Sequence, residues 1–289
     1  MNKIKLFLMT LVASMLMAAC GTTSTVPITG RKHSLLVSDA EILSLSKQQY
    51  SEIMKKSTLS SNAANTAMVK RVGKKLATAV ESYLRTHGAA GEIKNFAWEF
   101  SLVKNNEANA FCMPGGKIVV YEGILPYTKN ENALAIVLGH EIAHAVAKHS
   151  AEQMSKQIRQ QYGTQILGTV LNNSVGSGVG DLASLAAQQG FSFANLKYSR
   201  DNETEADYMG LIFAAMAGYN PQEAITFWKR MSNGQSNRSD ILSSHPSDAK
   251  RIAALQRQMP EAMKYYQGAK PASISYKKLT NSKSTRRKK

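Results

Sequence analysis

The chain has little cysteine, little tryptophan and a deficit of acid. Two Cys in 289 residues permit one disulfide at most, so the fold must rest on a packed core. Neither Cys has a second one at zinc-finger spacing, which excludes a cysteine-built structural metal site. After the first nineteen residues no apolar run is long enough to span a bilayer. Acids number 20 against 36 Lys and Arg, a formal charge of +16. A basic chain is drawn to anionic surfaces such as lipid headgroups or nucleic acid. Much of the excess lies in the last twenty residues, so it is mainly a property of the tail. No RNA-binding signature accompanies it, and no nucleic-acid partner is expected. The length allows one large domain or two small ones.

What is present begins with a processing signal. Lys3 and Lys5 precede the apolar stretch Leu6 to Met17, the layout of a secretory leader. Met17-Ala18-Ala19-Cys20-Gly21 resembles a bacterial lipobox. That resemblance implies cleavage before Cys20 and its lipidation. Gly21 after the Cys favours the outer membrane if the envelope is Gram-negative. The expected organisation is a signal peptide over 1–19, a tether over 20–37, one domain over 38–266 and a disordered basic tail over 267–289. Pro27 to Arg31 within the tether reads as a turn. With Cys20 lipidated, Cys112 is the remaining thiol; it reads as a small buried hydrophobe in preference to a redox-sensitive thiol near the site.

The organising stretch is His140-Glu141-Ile142-Ala143-His144, H-E-x-x-H inside an apolar helical run. Residues four apart stack on one helix face, so two imidazoles can grip one cation. Glu141, beside the first ligand, is placed as general base of a metal-assisted hydrolysis. Thr128 and Glu131 are spaced as a capping box that starts this helix near Asn130. Continued helical phase would carry His149 off the metal face and onto the surface. His87, at a helix end before Gly88, reads as exposed.

A catalytic zinc site needs a third protein ligand. Glu203 and Asp207 share a face of the next acidic helix, expected from about Asp201 to Ala217. Glu203 is the candidate ligand, and Asp207 the candidate acceptor that fixes a ligand His in its tautomer. Glu205 points elsewhere and is expected to be exposed. Two strands, Phe96 to Val103 and Ile118 to Tyr121, flank Asn109-Ala110-Phe111-Cys112-Met113. That segment reads as a sheet edge, either one that pairs with an extended peptide or a plain hairpin edge. His245, before Pro246 at a helix entrance, has three roles open to it: oxyanion donor, inhibitory fourth ligand, or simple helix cap.

Together these residues resemble the HtpX and CAAX-prenyl-protease family of zinc metallopeptidases, and within it the periplasmic lipoprotein branch. The landmarks are Pro27 to Arg31, Asn109-Ala110-Phe111 with Pro114-Gly115-Gly116, the H-E-x-x-H, Glu203-x-x-x-Asp207, and His245-Pro246 followed by Arg251. The resemblance implies a gluzincin fold: α+β, mostly helical and zincin-like, with a small β-sheet and the H-E-x-x-H on its active-site helix. It also implies one Zn2+ on His140, His144 and Glu203 with Glu141 as base. Members of that branch cleave misfolded or misassembled envelope proteins. The expected function is therefore an envelope-anchored, periplasm-facing endopeptidase acting on unfolded or misfolded protein, held to the membrane through Cys20. The alternative is a chaperone-like or latent assembly factor that binds such proteins with little cleavage.

Overall fold

The structure is a computed structural model that describes residues 22–171, 187, 190–233 and 249–266, with only the backbone of 161–171, Asn233 and Ala249. Cys20 and His245 lie outside the described residues, as do the leader and the basic tail.

The chain opens with a two-stranded antiparallel ribbon, β1 (Thr22–Thr25) and β2 (Lys32–Leu35), joined by a turn over Pro27–Gly30. Ile28 and Gly30 take positive φ there, and Gly30 N–H donates to the Val26 carbonyl. This corrects the expectation of a tether over 20–37. Short polar residues read as a linker, but they alternate with Val26, His33 and Leu35, which are buried. Alternation over so few residues carries little signal until the partner surface is known.

Helices α1 (Asp39–Lys56) and α2 (Ala63–Thr86) follow. Ser38 and Glu41 form the expected capping box on α1. His87 caps α2, stays exposed and stacks on Tyr83, before Gly88 at positive φ. Strands β3 (Glu99–Val103), β4 (Ala110–Met113) and β5 (Lys117–Tyr121) make one sheet in the order β3-β5-β4, parallel for β3/β5 and antiparallel for β4/β5. Both faces are covered. Phe100, Leu102, Ile118 and Val120 enter one hydrophobic cluster, while Val103, Val119, Phe111 and Met113 enter the other. That explains strands with more apolar residues than a half-solvated sheet would carry.

The longer helices that follow are α3 (Glu131–Val146), α4 (His149–Leu171), α5 (Arg200–Met216), α6 (Glu223–Asn233) and α7 (Ala249–Tyr265). The cap of α3 is Asn130, whose side chain accepts from Ala133 N–H. The expected Thr128 box is not used, because the Thr128 hydroxyl donates to the Leu125 carbonyl instead. From Ala133 to His144 every α3 residue is buried, so α3 is the central helix rather than an amphipathic surface one. Helices α3 and α5 cross at Gly139 and Gly210. A Cβ on Gly139 would sit 2.8 Å from the Gly210 carbonyl oxygen, and one on Gly210 would sit 2.8 Å from His140 N. Only two glycines allow backbones this close, and that proximity brings the acidic start of α5 to the histidines of α3. Among the described residues no helix is long and apolar enough to cross a membrane.

Candidate metal centre

His140 and His144 lie one turn apart on α3, with Glu203 projecting from the first turn of α5. Their nearest ligand atoms form a small triangle: 3.0 Å between the two Nε2 atoms, 3.5 Å from His140 Nε2 to Glu203 Oε2 and 3.5 Å from His144 Nε2 to Glu203 Oε1. Ligands about 2.1 Å from a tetrahedral zinc lie about 3.4 Å apart, so the triangle fits such an ion without rearrangement. All three side chains are buried. Two imidazoles and one carboxylate are also the donor set of a catalytic rather than a structural zinc site.

Asp207 Oδ1 sits 2.9 Å from His140 Nδ1. It accepts that ring's second N–H and leaves Nε2 for the metal. Arg251, on α7, donates to the same oxygen at 2.6 Å and lies 3.6 Å from Glu203 Oε2. Its guanidinium rests over the Trp228 ring at 3.6 Å. Burial works against ionised Asp207, but the Arg251 charge and the His140 hydrogen bond outweigh it and hold its carboxyl below the ordinary value. Burial also works against a charged His140, yet Asp207 and Glu203 together raise that imidazole to about 9. A cation arriving at this site takes the place of that proton.

Glu141 faces the sheet. Its Oε2 accepts the backbone N–H of Cys112 at 3.3 Å, so the base lies against the β4 edge. Asn109, Ala110 and Phe111 lie beside Glu141, but this edge is covered. Ala110 to Met113 are all buried, with the turn Phe193–Asn195 packed along β4. Tyr198 stacks on His144 with ring centroids 3.9 Å apart. The space left beside Glu141, lined in part by Phe111, Phe193, Leu196 and Tyr198, is about 10 Å³, roughly the room of one water. A wider cleft of about 1260 Å³ lies elsewhere, between α1, α2 and β3. Cys112 is buried as expected, and burial followed by the nearby Glu141 raises its thiol well above the ordinary value, which keeps it protonated and unreactive.

Two expectations fail. His149 is fully buried, and its Nδ1 lies 2.9 Å from His144 Nδ1. The phase argument assumed one continuous helix. Instead α3 ends at Val146 with Ala147 as its cap, Lys148 takes φ +54°, and α4 restarts at His149, which swings that ring back beneath His144. Glu205 is also buried rather than exposed. It meets His149 Nε2 at 2.9 Å and accepts from Arg31 and Thr29. Its face of α5 looks onto the ribbon and α4, not onto water. Spacing held no signal for either residue: the position of His149 turns on the break at Lys148, and the Arg31 and Thr29 partners of Glu205 are distant in sequence.

The Peptidase family M48 profile matches residues 63–259. The mitochondrial metalloendopeptidase OMA1 of Arabidopsis thaliana is 37% identical over 185 residues, covering 63% of this chain and 36% of that protein. Human metalloendopeptidase OMA1 is 31% identical over 252 residues, covering 82% of this chain and 46% of its own length. The β-barrel assembly-enhancing protease of Escherichia coli is 29% identical over 161 residues, 54% of this chain and 33% of that protein. The chain thus spans about a third to a half of the length of these relatives. The matched region includes α3 and α5, whose two histidines and glutamate form the metal triangle, and on that footing the chain belongs to Peptidase family M48.

Proposed function

We propose that this chain is a zinc endopeptidase held at a bacterial envelope membrane, where it cuts unfolded or misassembled proteins. The observation that carries the reading is the buried triangle of His140, His144 and Glu203 with Glu141 beside it. When bound, a divalent ion there supplies Lewis acidity to the scissile carbonyl. Glu141 takes the proton of the attacking water and passes it to the leaving amine. Asp207 keeps His140 oriented, and Arg251 holds Asp207 and offsets the charge of Glu203. The β4 edge, next to Glu141, aligns an extended chain through main-chain hydrogen bonds, which suits unfolded substrates of varied sequence. Zinc itself is chosen on donor type. The envelope location and the lipoprotein branch rest on the leader and the Cys20 lipobox, and gain support from the E. coli relative, a protease named for β-barrel assembly.

The covered edge favours a latent resting form as a second reading. A peptide reaches Glu141 only if residues 191–198 move away from β4. His245 adds a further means of latency if it occupies the metal. An inhibitory His245 predicts faster casein cleavage by His245→Ala, and an oxyanion donor predicts slower cleavage.

The central test is cleavage of unfolded casein with and without chelator, with metal content measured on the same sample. One zinc per chain and chelator-sensitive cleavage are expected. Glu141→Gln should keep the metal and lose at least about 10²–10⁴-fold in turnover. Turnover near wild type by metal-loaded Glu141→Gln would remove Glu141 from its role.

A further inference from the structure

The mechanism above leaves a buried histidine and a buried glutamate beside the site without a task. His149 touches His144 but cannot reach the metal triangle, since its Nδ1 lies 2.9 Å from His144 Nδ1, the nitrogen turned away from it. Beyond it, His149 Nε2 lies 2.9 Å from Glu205 Oε2. Arg31 Nε donates to the same oxygen at 2.8 Å, and the Thr29 hydroxyl donates to Oε1. Arg31 is itself fixed by a bidentate pair to Glu152, at 2.8 and 2.7 Å. Glu152 also accepts from Asn202 on α5.

Proton directions along this chain have one consistent solution. A metal on His144 Nε2 requires the hydrogen on Nδ1. That N–H donates to His149 Nδ1, so His149 carries its own hydrogen on Nε2. This second N–H donates to the Glu205 carboxylate. The remaining capacity of Glu205 is met by Arg31 and Thr29, both donors. The opposite tautomer of His144 would point an N–H at the ion and leave the chain without its sequence of donors.

We infer that His149, Glu205 and the turn bearing Thr29 and Arg31 form a positioning relay that holds His144 in its metal-binding tautomer, making the N-terminal ribbon part of the metal centre. The inference rests on the metal reading given above. A carboxylate on a ligand imidazole raises its basicity and fixes its plane. Here a second imidazole carries that influence one residue further, to a carboxylate clamped by residues 174 and 176 positions away in sequence.

The test uses the full chain. Zinc affinity is measured by competition with a chromophoric chelator for wild type, Glu205→Gln, Thr29→Ala, Arg31→Ala and the remote control Arg71→Ala. Unfolding temperatures with and without zinc are recorded for each. The relay predicts about 10–100-fold weaker zinc binding in Glu205→Gln, a several-fold loss in Thr29→Ala and Arg31→Ala, and none in Arg71→Ala. It also predicts that the zinc-induced rise in unfolding temperature shrinks in the relay variants. Ring nitrogen shifts of zinc-loaded wild type should report His144 protonated on Nδ1. If Glu205→Gln fails to fold, Thr29→Ala removes a single hydroxyl and decides. Wild type that takes up no stoichiometric zinc overturns the metal reading and the relay with it. Wild type that binds zinc while the variants match it, their unfolding temperatures falling equally with and without the metal, overturns the relay alone and leaves these residues as scaffold.

Discussion

The two imidazoles of the metal centre are supported by arms of different construction. His140 is held by a short arm. Asp207 stands one turn beyond the ligand Glu203 on the same helix, and Arg251 closes the arm from α7. His144 is held by a long one, running through His149 and Glu205 to a turn near the start of the described chain. The short arm places charge directly on the ligand. The long arm transmits it through a second ring, yet shuts its histidine away more completely, with His149 and His144 both 0% exposed. A site can thus be symmetric in its ligands and asymmetric in what keeps them in place.

The strongest blow to both arms together should come from the helix crossing. Gly210→Ala introduces a Cβ 2.8 Å from His140 N, which forces α5 away from α3 at a cost of about 1–3 kcal/mol. Loss of stoichiometric zinc, by elemental analysis, and a lower unfolding temperature are expected. Full retention of both would show that the backbone contact is not what sets the triangle.

Cutting the short arm alone sharpens the contrast. Asp207→Asn should weaken zinc by about 10–100-fold, at least as much as Glu205→Gln, because it acts on the ligand without an intervening ring. A smaller loss than Glu205→Gln in the same chelator competition would reverse the ranking of the arms.

The outer end of the long arm should be visible in pH dependence. Burial opposes ionisation of Glu152, but His33 and Arg31 outweigh it and hold the carboxyl below its ordinary 4.5. A carboxyl depressed in the fold contributes stability above its unfolded value and gives it up as pH falls through the folded one. Wild type should therefore unfold a few degrees above Glu152→Gln at pH 7, and the gap should narrow steadily below about pH 4.5. A gap that stays constant down to pH 3 would mean that Glu152 contributes through packing alone.

The smallest effect is expected far from both arms. Arg71 pairs with Glu131 at the surface, and Arg71→Ala should cost no more than about 1 kcal/mol in chemical denaturation.

Much of this is legible in the sequence. H-E-x-x-H at helical spacing puts two imidazoles and a carboxylate on one helix, because the helical repeat is a local property of the backbone. Glu203 and Asp207 follow from the same repeat on a second helix. The Ser38–Glu41 box and the strands around Pro114-Gly115-Gly116 are local as well. Two residues escape local reasoning for different causes: a helix break at Lys148 turns His149 inward, and the far side of α5 packs Glu205 against other elements rather than water. The tether was misread because a four-residue strand declares itself only against its partner.

The sequence by itself determined which side chains are the candidates for the chemistry, since that information lies within single helical turns. Only the tertiary structure decided how close those turns come, which face of α5 is dry and what stands behind each ligand. Those depend on a Gly139–Gly210 backbone contact and on hydrogen bonds joining residues more than 170 positions apart, and neither a side chain's partner nor its desolvation is encoded in the spacing of its neighbours.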